Sequence, residues 1–214
     1  MTNKINIHNL FPIPILETKI PQKYSNIVKF FDSQEMEKEK VDFSNYGFRS
    51  KNINILDLPE CKSLKKYILD IASKYSYNIL GYDYKKYKFS LSWISHKEPN
   101  TQHQRHTHAN SIISGVFFYG NFDKNTPSLN FHAKSTNYEY TNCIQLKRRL
   151  DSNKKFYDNN ITVKFTPGLL LLFPSYLPHS VPSNSTTKTR KSLAFNIVPK
   201  KGFGDSSSLT KLKF

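Results

Sequence analysis

From Lys88 to Pro199 the chain runs as short apolar stretches, rich in β-branched and aromatic residues and cut by Pro, Gly, Asn and Asp. They read "YKFSLSWIS", "SIISGVFFYG", "SLNFHA", "ITVKFTPG", "LLLLFPS", "HSVPS" and "KSLAFNIVP". No helix of any length separates them, whereas parallel strands need a crossover of a dozen residues or so. The pattern therefore predicts antiparallel sheets closed face to face, a sandwich or jelly-roll barrel.

The first third reads differently. "LFPIPILETKIP" alternates prolines with apolar residues, which suits an edge strand or extended arm. "QKYSNIVKFFDSQEMEKE" carries Ile27, Val28, Phe31 and Met36 at near-helical spacing. "PECKSLKKYILDIASKYSYNIL" puts Leu64, Ile68, Ile71, Ala72 and Tyr75 on one helical face, with Pro59 near its start and Gly81 beyond its end. The expectation is a mainly β fold with flanking α-helices. A chain of 214 residues suits one domain: arm and helices over 1–85, a jelly-roll core over 86–200 and a loose tail over 201–214. The polar stretch 135–160 reads as a long loop of the functional or mobile kind.

A net charge of +16 raises an anionic partner such as nucleic acid. The lysines are spread over every segment among Asn, Ile, Phe and Tyr, which equally fits an AT-rich coding sequence. Cys61 and Cys143 form no CxxC or CxxH pattern, so a reducing cytoplasm is expected, that of the host if the protein is viral. "GLLLLF" is too short to span a bilayer and the opening residues contain no signal-length apolar run, so no membrane partner is expected.

Four of the seven histidines, His96, His103, His106 and His108, crowd one short stretch. His8, His96, His103 and His132 read as ordinary solvated or hydrogen-bonded residues. His106 and His108 differ, because residues i and i+2 of an extended strand share a face and both imidazoles can reach one ion. His179, in "FTPGLLLLFPSYLPHSVPS", ends an apolar strand and is the best candidate for a third ligand. Further on, Arg190 and Ser192 share a strand face opposite Leu193, Phe195 and Ile197. An inward arginine is costly unless it meets an anion, so a carboxylate is its natural partner; a surface arginine in a basic protein is the plain alternative.

Together, "HTHANSIISGVFFYG", "PGLLLLFPSYLPHSV" and "RKSLAFNIV", with "SWIS" and the weaker "LFPIPI", resemble a family of iron(II)- and 2-oxoglutarate-dependent oxygenases frequent in marine bacteria and their viruses. The resemblance spans roughly residues 9 to 199, and the loop after Phe131 matches least. It implies a double-stranded β-helix, the cupin-like jelly-roll barrel, packed against the N-terminal helices. It also implies Fe(II) as cofactor and 2-oxoglutarate as co-substrate, decarboxylated to succinate as a substrate C–H bond is hydroxylated. His106 and His179 would hold the iron, Arg190 the distal carboxylate of 2-oxoglutarate, and Ser192 would stand beside it. The superfamily usually writes its metal motif HxD/E…H. Here His108 takes the carboxylate's place, either as a third ligand or standing aside for water; the HxH form is itself that of the family resembled. Trp93, Asn110, Phe117, Tyr119 and Asn196 are possible pocket residues. The substrate would be a small molecule or a protein side chain.

Two other readings stand beside it. A cupin shares HxH, and Gly168, Pro174 and His179 fit its second motif with Tyr176 in place of a glycine. It would also want a Glu soon after HxH, which "ANSIISG" lacks, and it has no use for Arg190-x-Ser192. A basic nucleic-acid-binding protein would make the histidines incidental.

Overall fold

Strand alternation decides the architecture. In the computed structural model, which describes residues 12–39, 47–120, 125–133 and 160–214, eleven strands build two sheets, with two α-helices packed on one face of the larger. The elements are β1 (Leu16–Lys19), α1 (Ile27–Asp32), β2 (Met36–Lys38), β3 (Phe48–Ser50), α2 (Lys62–Asn78), β4 (Tyr87–Lys97) and β5 (His103–His106). They continue as β6 (Ile113–Tyr119), β7 (Leu129–His132), β8 (Asn160–Val163), β9 (Leu169–Pro174), β10 (His179–Val181) and β11 (Arg190–Pro199). A seven-stranded sheet runs β1-β9-β6-β11-β4-β3-β2 and a four-stranded one β5-β10-β7-β8. Every strand pairing is antiparallel. From β4 to β11 the chain passes back and forth between the sheets, the winding of a double-stranded β-helix, as expected.

The period of two sorts side chains into two cores. On one face of the large sheet Ile94, Phe117, Leu170, Leu172, Leu193, Phe195 and Ile197 meet Phe31 of α1 and Leu64, Ile68, Ala72 and Tyr75 of α2. Each helix leucine or isoleucine so buried is worth about 1.5–3 kcal/mol. On the other face Val116, Phe118, Leu169, Leu171 and Phe173 meet Leu129, Phe131 and Val181 of the small sheet. Gly115 sits between β9 and β11, opposite both Leu172 and Phe195, where a Cβ would fall 2.3 Å from the Phe195 ring. Glycine here makes room for an aromatic neighbour.

β1 is the edge strand the prolines suggest, paired with β9, and α2 follows its predicted face, with Ile71 half-buried. The first helix is a correction. It stops at Asp32, and Met36, expected on its face, enters β2 opposite Ser50. The N-terminal segment thus supplies three strands of the large sheet as well as its helices. The tail is better tied than expected: Phe203 and Leu212 form a bridge, and the Gly204 N–H donates to Tyr84 Oη. Residues 135–159 and Cys143 lie outside the described residues. Among those described, no helix is long and apolar enough to cross a membrane.

Candidate metal centre

β5 and β10 lie side by side in the small sheet, with His106 directly opposite His179. His108 stands two residues beyond the end of β5, where its backbone N–H donates to the Ser175 carbonyl at 3.0 Å. The i, i+2 relation therefore acts across a strand end rather than along a strand, and it still delivers both rings to one place. One nitrogen from each of the three histidines falls within 4.8 Å of the other two. His106 Nδ1 donates to the Gln104 carbonyl at 2.7 Å and His179 Nδ1 to the Leu177 carbonyl at 2.9 Å. These bonds fix the tautomers and leave both Nε2 lone pairs free for a ligand. His108 Nε2 lies 3.2 Å from His179 Nε2, close to the spacing of adjacent ligand atoms at about 2.1 Å from one ion. Burial lowers all three imidazoles, His108 to about 4 and His179 to about 3. They are therefore neutral near pH 7, the state in which histidine binds a metal.

The three rings open on a cavity with about 530 Å³ of atom-free space, its mouth included. Its other end is made by β4 and β11, where the alternation turns Trp93, Ser95 and Lys97 and, facing them, Arg190, Ser192 and Ala194 toward it. Arg190 is 3% exposed. Its guanidinium carbon lies 4.4 Å from the Phe165 ring centre and 5.2 Å from that of Phe118. Its Nε is buried with no hydrogen-bond partner among the described residues, and loss of solvent pushes the group down to about 9. Lys97, 1% exposed, pairs with Glu39 at 3.0 Å. Among the described residues lining the cavity there is no Asp or Glu.

A buried cation with an orphan donor is costly until an anion reaches it. Three neutral imidazoles suit a divalent ion. The donor set thus fits a metal at one end of the cavity and a carboxylate at the other.

Of the residues singled out in the sequence, His106, His108, His179, Arg190, Ser192 and Trp93 line this one cavity. Asn196 follows on the same face of β11, buried, bonded to Ser114 and reaching His108. Asn110 is exposed at a turn with φ of +57°, a conformation asparagine tolerates. Phe117 and Tyr119 are not brought to the cavity. They point from the other face of β6 into the helix-side core. His96 is likewise on the helix side, 3.4 Å from Tyr119 Oη, and His132 bonds Ser180. His8 lies outside the described residues. Three polar lining residues escaped the sequence reading: Ser95 and Lys97, which the alternation from Trp93 could have found, and His103, read there as an ordinary solvated or hydrogen-bonded residue, whose ring stacks on His106 at 4.1 Å.

Residues 91–196 match a family profile described as "Putative 2OG-Fe(II) oxygenase". No curated protein matches the sequence. Among solved structures, a prolyl-4-hydroxylase of Pseudomonas putida is similar at 12% identity and a TM-score of 0.58, over 86% of this chain and 92% of that one. The epimerase SnoN of nogalamycin biosynthesis is similar at 11% and 0.63, over 88% and 80%. A prolyl hydroxylase of Trichoplax adhaerens, solved with a hypoxia inducible factor peptide, is similar at 10% and 0.61, over 87% and 84%. At such identities the likeness is one of fold.

Proposed function

The chain belongs to the 2OG-Fe(II) oxygenases, and from that premise we propose that His106, His108 and His179 hold the iron while Arg190 and Ser192 hold the distal carboxylate of 2-oxoglutarate. Iron(II) and 2-oxoglutarate, when bound, would supply the activation of dioxygen: one oxygen atom would end in succinate as carbon dioxide leaves, and the other would hydroxylate a substrate C–H bond. This chain's own residues bind, orient and exclude water. The carbonyls of Gln104 and Leu177 hold two imidazoles in the ligating tautomer. The guanidinium of Arg190 donates to a carboxylate in a fork, and the Ser192 hydroxyl, on the same strand face, adds a third donor. Phe118 and Phe165 keep water from that fork, which strengthens each charged hydrogen bond inside it.

Three histidines cancel none of the metal's charge, and among the described residues the lining contains no carboxylate to add its own, so a dianionic co-substrate is favoured electrostatically. The substrate reaching the remaining space is a small molecule or a protein side chain. The observation that carries the reading is the buried Arg190 Nε, without a partner among the described residues, in the same cavity as the three imidazoles. A cupin that makes no use of 2-oxoglutarate has no employment for it.

The test is succinate formation from 2-oxoglutarate with iron(II). It is expected in the wild type, retained in Lys188→Met, whose side chain is exposed, and lost in Arg190→Met. Equal turnover in Arg190→Met and wild type would overturn the assignment.

A further inference from the structure

Two of the three histidines are set by backbone carbonyls in the tautomer a metal needs, and the third has a side-chain amide at its Nδ1 instead. His179 Nδ1 gives its proton to the Leu177 carbonyl, so its Nε2 carries a lone pair and can only accept. His108 Nε2 lies 3.2 Å away, a spacing that fits two ligands on one ion and, without an ion, a hydrogen bond donated by His108, which would leave the lone pair of a neutral His108 on Nδ1. The group facing that lone pair is the Asn196 amide nitrogen, at 3.5 Å. The Asn196 oxygen in turn accepts from Ser114 Oγ at 2.9 Å. Ser114 has then spent its one proton, so its 2.9 Å contact with Ser175 Oγ is one in which Ser175 donates. Ser175 also accepts from Ser111 Oγ at 2.6 Å. The result is one head-to-tail chain, Ser111 to Ser175 to Ser114 to Asn196 to His108 to His179.

We propose that the Asn196 side-chain amide is the positioning group that sets the tautomer of His108 and so decides whether this histidine ligates the metal. The inference rests on His106 and His179 being ligands.

A half-turn of the amide reverses the whole chain. Asn196 then offers its oxygen to a His108 Nδ1–H and its N–H to Ser114, Ser114 donates to Ser175, and Ser175 to Ser111. His108 gives its Nε2 proton to water at the cavity mouth and takes one from water at Nδ1, so the part-buried ring stays neutral and gains a lone pair aimed at the ion. Beyond that exchange with water, only an amide and three hydroxyls rotate. Asn196, Ser114 and Ser175 are 6%, 1% and 1% exposed. Water therefore cannot substitute for a missing partner among them, and either direction of the chain leaves each group satisfied. Ser111, half-buried at the far end, is where the chain meets solvent. A carboxylate at position 108 would have no tautomer to choose; the serine–asparagine chain belongs with the histidine.

The experiment uses zinc(II) as a redox-silent, diamagnetic probe of the full chain. Nitrogen-15 NMR of the histidine rings is expected to report His108 with its proton on Nε2 before zinc and on Nδ1 after it, with His106 and His179 on Nδ1 throughout. Zinc affinity, measured by competition with a chelator, is expected to fall 10- to 100-fold in Asn196→Leu. It is expected to be kept or raised in Asn196→Asp, which can only accept a proton from Nδ1, whereas a merely structural asparagine would make both variants suffer alike. A wild-type His108 whose proton stays on Nε2 with zinc bound would overturn the inference and leave the other two ligands standing, as would equal losses in the two variants. Absence of zinc binding by the wild type would overturn the three-histidine site, and the inference with it.

Discussion

Lys97 and Arg190 stand directly opposite each other on β4 and β11, both buried against one cavity, and Glu39 pairs with the lysine while the Nε of the arginine has no partner among the described residues. The asymmetry is what points an anion at Arg190.

Arg190→Met should therefore weaken 2-oxoglutarate. Losing two hydrogen bonds from a charged group costs about 2–4 kcal/mol, or roughly 30- to 1,000-fold in affinity. Titration calorimetry with zinc in the metal site reads this directly. A loss of tenfold or less would place the carboxylate elsewhere.

The Lys97–Glu39 pair makes a stability prediction instead. Its side chains are 2% and 11% exposed, so Lys97→Met strands a buried carboxylate and should cost about 3–5 kcal/mol. Lys97→Met with Glu39→Gln removes the stranded charge and should recover most of the loss in urea unfolding. If the double variant is as unstable as the single one, the pair is not what the lysine supports.

The proposed metal ligands predict by stoichiometry. His106→Ala and His179→Ala each remove one of two neighbouring cross-strand rings held by backbone carbonyls. Either should abolish stoichiometric iron(II) binding near neutral pH, read by metal analysis after gel filtration. His103→Ala leaves the nitrogens of all three proposed ligands in place and should retain the iron. One iron per chain in His179→Ala would remove that residue from the site.

His96 gives a pH dependence with a definite sign. Burial, and then the nearby Lys191, hold it down to about 4, partly offset by Asp32, against about 6.5 in the unfolded chain. Between those values the unfolded state binds more protons, so stability is complete above pH ~6.5 and declines as pH falls toward about 4. His96→Gln, which can still reach Tyr119 Oη, should flatten the dependence by up to one proton in denaturation series from pH 7.5 to 4.5. An unchanged slope would mean that His96 is protonated in the folded protein.

The legible part of the site is the part written in local spacing. His106-x-His108 and Arg190-x-Ser192 announce a shared side, and His179 stands out against leucines and phenylalanines. Phe117 and Tyr119 were misplaced because all seven residues of β6 are buried: with apolar chemistry on both faces, nothing local says which face meets the cavity and which the helices. Met36 fell for a related reason, since one methionine at helical spacing cannot outweigh a pairing with Ser50, fourteen residues on. The Lys97–Glu39 pair and the chain from Ser111 to Asn196 join segments brought together only by the barrel. No window of sequence contains them.

Gly115 closes the argument between packing and site. Its backbone lines the cavity on one side, while on the other a Cβ would fall 2.3 and 2.4 Å from two carbons of the Phe195 ring and 2.7 Å from a Leu172 methyl. Phe195 is 1% exposed and meets Phe89 edge-on at 5.3 Å, so the ring has nowhere to withdraw. Gly115→Ala should cost about 1–3 kcal/mol through overpacking. Phe195→Leu alone also destabilises, because it opens a void beside the glycine. The two together fill that void with the new methyl, so the double variant should be more stable than the sum of the single losses, a coupling that a thermodynamic cycle measures. Strict additivity would show that the glycine serves the backbone of β6 rather than the ring it faces.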